Sequence, residues 1–238
     1  MPACYMTMKN ILIVGASSGI GKKLGEILVN EGHKVWGTYM NTEPDPGSRV
    51  QFIRLNVLED GWNLDHLPDV LDGLVYCPGA IGLKPFSRIT PELFVQDYQL
   101  QVGGAVKSIQ ACLRRLKKSS DGSVILFSTV AVQLGLNFHS MVSASKGAIE
   151  GLTRALAAEL SPKVRVNCIA PSLTNTPLAE RLLNSEDKIE ANAKRHPMKR
   201  VGEAEDIARM AAFLLSENAS WVTGQIMHVD GGLSTLKV

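Results

Sequence analysis

The segment 15–21, GASSGIG, carries three glycines at a spacing that suits phosphate binding. It follows the apolar run 11–14, ILIV, which is typical of a buried strand. At such a strand-to-helix junction Gly15 permits a tight turn, Gly19 lets the backbone approach an anion, and Gly21 lets the helix pack against the sheet. The amino end of the following helix offers free N–H groups and a partial positive charge. The segment therefore predicts a cradle for a pyrophosphate.

Strand and helix signals alternate along the chain, as in a parallel sheet covered on both faces. Strands are predicted at 11–14, 33–38, 50–55, 73–77, 123–128, 164–169 and 225–229, and the main helices after the glycine segment to 30 and at 91–118, 141–160 and 203–216. The polar stretch 172–197 predicts a mobile segment with short helices that shapes a substrate pocket. No linker interrupts the pattern, so we expect one domain over residues 1–238, with 1–8 as a disordered leader.

The spacing Gly-x-x-x-Gly-x-Gly resembles the cofactor motif of the short-chain dehydrogenase/reductase family. Further motifs similar to that family's follow in its order: Asn56-Val57, Gly79, the run 143–148 (SASKGA), Val166-Asn167, Ala170-Pro171, Thr176 and the run 229–232 (VDGG). The resemblance implies a doubly wound Rossmann-type α/β fold, with a seven-stranded, mostly parallel sheet in the order 3-2-1-4-5-6-7. It also implies an oxidoreductase that transfers a hydride between a nicotinamide and a carbonyl or alcohol.

The resemblance implies a set of cofactor-binding residues. They are Gly15, Ser17, Ser18, Gly19, Ile20, Gly21, Tyr39, Asn41, Asn56, Val57, Gly79, Lys146, Pro171 and Thr176. An acidic residue about 20 positions after the glycine motif would bind the ribose 2′-hydroxyl of NAD. Tyr39 stands there instead, and Tyr39, Asn41 and Ser17 can donate hydrogen bonds to a phosphate. The sequence therefore favours NADP over NAD.

The catalytic set departs from the family pattern. Family members use a Tyr-x-x-x-Lys pair, in which a nearby ammonium lowers the pKa of the phenol so that it exchanges a proton with the substrate oxygen. Lys146 is present, but Val142 stands four residues before it. Thr129 takes the place of the family's serine and Gln101 that of its asparagine. Valine has no proton to give, so the usual relay cannot operate unchanged.

Three explanations remain open for this departure. Another group supplies the proton: His139, seven residues before Lys146, is the leading candidate, with Ser140, Ser143 or a water as alternatives. Alternatively, the chain is a non-catalytic dinucleotide-binding regulator or scaffold. In the third explanation, Val142 is an engineered or atypical substitution in an otherwise ordinary enzyme.

Charge and cysteine usage restrict the partners. The formal net charge of +2 gives no case for nucleic acid or an anionic membrane. No apolar run reaches the roughly 18 residues of a membrane span, and no histidines or cysteines stand at metal-ligand spacing. The four cysteines show no CxxC motif, which favours free thiols in the cytoplasm. By the family resemblance, we expect a homodimer or homotetramer that acts on a small molecule.

Overall fold

Seven strands form one sheet in the computed structural model, which describes residues 7–237. The strands of the chain are β1 Asn10–Val14, β2 Lys34–Tyr39, β3 Gln51–Arg54, β4 Gly73–Tyr76, β5 Gly122–Phe127, β6 Val164–Pro171, β7 Thr174–Asn175, β8 Gly202–Glu203 and β9 Ile226–Val229. The large sheet has the order β3-β2-β1-β4-β5-β6-β9, and its described pairings are all parallel. The predicted fold class and strand order are confirmed.

Helices cover both faces of this sheet. They are α1 Gly19–Asn30, α2 Pro91–Tyr98, α3 Gly104–Leu116, α4 Ser140–Leu160, α5 Glu186–Arg195 and α6 Ala204–Leu215. Successive strand residues point to opposite faces, so Ile11 and Ile13 of β1 pack in one apolar cluster with α1 and α6. Leu12 and Val14 pack in the other, with α3 and α4. Burial on both faces explains why the central strands are continuous apolar runs.

A π-helical turn at Gln99–Gly103 joins α2 to α3. The sequence predicted one regular helix over 91–118, so the turn is a departure from expectation. The Tyr76 hydroxyl at the end of β4 donates to the Leu100 carbonyl at 2.6 Å. A hydrogen bond from outside the helix stabilises a carbonyl that the irregular turn frees from regular pairing. The turn contains Gln101, which the sequence analysis assigned to catalysis.

The carboxyl ends of the strands meet at one edge of the sheet. β1 lies between β2 and β4, so the connections after β1 and β4 leave the sheet toward opposite faces. This divergence opens a crevice at the carboxyl ends, where open α/β sheets bind their ligands.

The segment 172–197 folds over this edge. It contains β7, which pairs with β8, a 3₁₀ helix at Pro177–Leu182, and α5. Ala179, Leu183 and Val201 form a small apolar cluster of their own. The predicted short helices are present, and the predicted mobility of the segment stays a prediction. Most of the predicted leader, residues 1–6, lies outside the described part of the chain.

Candidate functional site

One pocket of about 1090 Å³ lies at the carboxyl ends of the strands. It is lined by every residue predicted to bind the cofactor and by Gln101, Thr129, His139 and Lys146, but not by the alternative proton sources Ser140 and Ser143. No aspartate or glutamate lines the pocket within residues 7–237. The pocket therefore brings predicted site residues that are up to 161 positions apart, from Gly15 to Thr176, into one site, and no carboxylate of the described chain lies on its wall.

The glycine turn forms one end of the pocket. Gly15 and Gly19 have φ angles of 77° and 51°, in the left-handed region that glycine adopts without strain. A Cβ atom on Gly21 would lie 2.1 Å from the Gly15 carbonyl oxygen, so only glycine fits there. Ser18 precedes α1 without capping it through its side chain, and the first turn contains no acidic residue. The amino end of α1 thus presents uncapped N–H groups to the pocket.

Polar and apolar groups follow the turn along the wall. Tyr39 ends β2 and packs edge-to-face against Phe52, with ring centroids 6.2 Å apart. The Asn56 Oδ1 atom accepts a hydrogen bond from the Leu58 N–H at 3.0 Å, and Val57 is buried beside it. Asn56 thus closes an Asx turn, and it lines the pocket together with Val57.

Lys146 lies on α4 one turn after Val142, and both side chains line the pocket. Burial lowers the pKa of Lys146 from 10.5 to about 8, while Cys168 and Asp97 oppose that shift in part. Burial also raises the pKa of the neighbouring Cys168 to about 12. An ammonium with a lowered pKa and a neutral thiol therefore stand side by side below pH 8.

Gln101 lies close to Lys146 on the other side of Gly79. Its Nε2 donates to both carboxyl oxygens of Asp97, each at 2.9 Å. Its Oε1 is buried and lacks a hydrogen-bond partner among the described residues. A Cβ on Gly79 would lie 3.5 Å from Gln101 Oε1 and 3.7 Å from Lys146 Nζ. The unpaired acceptor and the ammonium thus border the same small space, which fits a ligand that carries hydroxyl or amide donors.

Thr129 and His139 complete the set that the sequence assigned to catalysis. Thr129 Oγ1 accepts a hydrogen bond from the Ala131 N–H at 3.3 Å and caps a short 3₁₀ helix. His139 Nδ1 lies 2.7 Å from the Asn137 carbonyl oxygen, so this nitrogen carries a proton and Nε2 remains available. The pocket brings both residues together with Val142, which is 6% exposed.

Two further groups were missed by sequence reasoning: Asp97, which lies behind the pocket wall against Gln101, and His196, which lines the pocket. Asp97 stands four residues before Gln101, a helical spacing that could have suggested the pair. His196 is 2% exposed, and its Nε2 lies 2.9 Å from Ser172 Oγ. Ser172 was not among the site residues predicted from the sequence. Nothing in the local sequence links it to a histidine 24 positions away.

A sequence-family profile described as "Enoyl-(Acyl carrier protein) reductase" matches residues 63–234. The L-xylulose reductase of Caenorhabditis elegans is 31% identical over 250 residues, which cover 98% of this chain and 99% of that protein. A tropinone reductase homolog of Arabidopsis thaliana is 30% identical over 253 residues, covering 95% of this chain and 92% of the relative.

Solved structures of dehydrogenases also resemble this chain. The ligand-free aldohexose dehydrogenase of Thermoplasma acidophilum superposes with a TM-score of 0.87 at 28% identity, covering 97% of this chain and 95% of that one. A short-chain type dehydrogenase/reductase from Mycobacterium ulcerans gives a TM-score of 0.85 at 28% identity, covering 95% and 90%.

Membrane spans and metal clusters are both absent from the described residues. None of the helices within 7–237 has the length and apolar character needed to cross a membrane. In the same part of the chain, no group of three His, Cys, Asp or Glu side chains is arranged to hold a metal ion.

The profile match, the relatives and the structures all point to the same conclusion: the chain belongs to the short-chain dehydrogenase/reductase family.

Proposed function

We propose that the chain transfers a hydride between a nicotinamide dinucleotide and the carbonyl or alcohol carbon of a small substrate. The observation that carries the proposal is the pocket that joins the glycine turn at one end to Lys146 and Gln101 at the other. A turn that suits a pyrophosphate and a basic, partly buried site at the sheet's carboxyl edge are the two parts that such a reaction needs.

The residues present fit a dinucleotide. The turn offers backbone N–H groups to a pyrophosphate, and the pocket continues past Tyr39, Asn41 and Ser17. Among residues 7–237 no carboxylate lines the pocket wall to repel a 2′-phosphate, so we propose NADP as the preferred cofactor over NAD. Pro171 and Thr176, after β6, would contact the nicotinamide end.

Each catalytic side chain has a proposed role. When bound, the dihydronicotinamide supplies the hydride. The Lys146 ammonium binds hydroxyl groups of the cofactor's ribose, Thr129 donates a hydrogen bond to the substrate oxygen, and Gln101 accepts one through Oε1. Val142 has no proton to exchange, so the relay is atypical. His139 is the proton source that the sequence suggests.

The assembly and location are part of the proposal. Exposed apolar side chains, among them Trp221 at 98% exposure and Phe213 at 41%, support a homodimer or homotetramer through the carboxyl-terminal region. The free thiols of Cys77, Cys112 and Cys168 support a reducing cytoplasmic location. Light scattering at micromolar concentration should give two or four times the monomer mass.

A second candidate is a dinucleotide-binding regulator that turns nothing over. It is favoured by one observation, which is that Val142 is buried where the family has its tyrosine. The test begins with fluorescence titration of the protein with NADPH and NADH, followed by NADPH oxidation against a panel of ketones and aldehydes. We expect saturable binding, tighter for NADPH, and measurable turnover. Binding without turnover would support the non-catalytic regulator. If neither nucleotide binds, both proposals are contradicted.

A further inference from the structure

Ser172 and His196 form a hydrogen-bonded pair at the substrate side of the pocket. The His196 Nε2 atom lies 2.9 Å from Ser172 Oγ, and His196 Nδ1 lies 2.8 Å from the Asn192 carbonyl oxygen. From this geometry we propose that the pair supplies the substrate oxygen with the proton that Val142 cannot give. The proposal rests on the proposed hydride transfer.

The contacts of His196 define which nitrogen can transfer a proton. A carbonyl oxygen only accepts hydrogen bonds, so Nδ1 carries a proton and donates to Asn192. Nε2 is then the nitrogen that exchanges a proton with Ser172 Oγ. A hydroxyl, an imidazole and a group that orients the imidazole are the parts of a general acid–base relay, here with a backbone carbonyl as the third member.

The pair is held firmly in place. His196 is almost fully buried, and its carbonyl accepts the Lys199 N–H at 2.9 Å. The Met198 N–H donates to the Gly231 carbonyl at 3.2 Å, which ties this turn to the carboxyl-terminal loop. On the other side, Thr174 Oγ1 donates to the Ser172 carbonyl at 3.0 Å. Several independent bonds thus fix a pair that comes from two distant parts of the chain.

Ser172 is the member that can reach a substrate. It directly follows Pro171 at the end of β6, is half-buried, and lines the same pocket as Lys146. His196 acts through it and is therefore a positioning and relay residue. The rival His139 has its carbonyl partner two residues away in its own loop, and no hydroxyl lies within hydrogen-bond distance of it among residues 7–237. Of the two histidines, only His196 has the hydroxyl partner that a relay needs.

The proton balance is simple. In carbonyl reduction the carbonyl carbon gains a hydride from the reduced nicotinamide dinucleotide, and its oxygen takes the proton of Ser172 Oγ. Ser172 Oγ recovers a proton from Nε2 of the His196 imidazolium, which becomes neutral while Nδ1–H stays bonded to Asn192. The products are the alcohol and the oxidised dinucleotide, and solvent returns one proton to His196. Alcohol oxidation follows the same path in reverse.

The activity test compares S172A, S172T, H196Q and H139Q with the parent chain in NADPH-dependent carbonyl reduction. General-acid catalysis commonly contributes about 10²–10⁴-fold, so we expect kcat to fall by about 10²-fold or more in S172A and H196Q. S172T keeps a hydroxyl and should recover most of that loss. H228Q is the matched control, because His228 is exposed and lies outside the pocket lining. The dissociation constant of NADPH should stay within about twofold of the parent value, because the proposed relay contacts the substrate and not the pyrophosphate cradle.

A second readout uses the protein without cofactor. The ¹⁵N shifts of His196 should show that Nδ1 stays protonated whether or not Nε2 carries a proton, and S172A should move the Nε2 resonance while leaving that of Nδ1 in place. If the parent is active and S172A and H196Q keep full kcat, or if only H139Q loses activity, the relay proposal is overturned and hydride transfer stands. A parent chain that turns over no carbonyl overturns both.

Discussion

Replacing Lys146 by methionine should raise the stability of the ligand-free protein and weaken cofactor binding. Burial lowers the pKa of Lys146 from 10.5 to about 8, which means that the folded chain disfavours the ammonium relative to the unfolded chain. Methionine is unbranched and adaptable enough to occupy the space of the lysine stem. The substitution thus removes a desolvated charge that helps function and not folding.

The size of the effect follows from the pKa change. A difference between 10.5 and about 8 is equal to about 3 kcal/mol of differential interaction. That value is an upper bound, because Lys146 lines an open pocket in which solvent screens the charge. We therefore expect K146M to gain about 1–3 kcal/mol in the free energy of unfolding at pH 7.

The pH dependence has a definite sign. Between pH 8 and 10.5 the unfolded chain binds more protons at this lysine than the folded chain does, so the parent's stability rises with pH in that window. The advantage of K146M over the parent should therefore be largest below pH 8 and should shrink as the pH rises toward 10.5.

The affinity of K146M for NADPH should decrease, in contrast to its stability. A hydrogen bond to a charged group contributes about 1.5–3 kcal/mol, so K146M should bind NADPH about 10- to 150-fold more weakly at pH 7. Parent affinity should fall as the pH rises through 8, and the affinity of K146M should lack that step.

Urea unfolding at several pH values and NADPH titration over the same range provide the two measurements. A K146M chain that is less stable than the parent at pH 7 would refute the reasoning that burial disfavours the ammonium. Unchanged NADPH affinity would refute the proposed contact with the ribose hydroxyls.

Two further substitutions test the site. V142Y places a phenol one helical turn before Lys146. If proton transfer limits the rate, the rate of carbonyl reduction should rise by about 10²–10⁴-fold over the parent. An unchanged rate would indicate that another group already supplies the proton. G21A should abolish NADPH binding and lower stability by about 1–3 kcal/mol, since its Cβ would lie 2.1 Å from the Gly15 carbonyl oxygen. The control G151A adds a Cβ to α4 with no atom within 4 Å and should raise the free energy of unfolding by about 0.5–1 kcal/mol. Equal effects of G21A and G151A in unfolding experiments would contradict the packing argument.

Local patterns in the sequence were sufficient to predict most of the fold. The apolar run of β1 followed by the glycine segment predicted a strand, a turn and a helix, because each depends on residues adjacent in the chain. The period of α4 likewise predicted that positions 142 and 146 share one face, since residues four apart are neighbours on any helix. The lack of a tyrosine one helical turn before Lys146 therefore follows from the sequence alone.

Contacts between distant segments could be decided only by the tertiary structure. The π-helical turn around Gln101 coincides with a hydrogen bond from Tyr76, on a strand more than 20 positions away. The Ser172–His196 pair forms because β6 and the turn after α5 converge at the sheet's carboxyl edge. Single-residue types and local spacing carry no information about such convergence. The burial that lowers the pKa of Lys146 has the same origin, because it arises from segments that meet only when the sheet and its covering helices pack together.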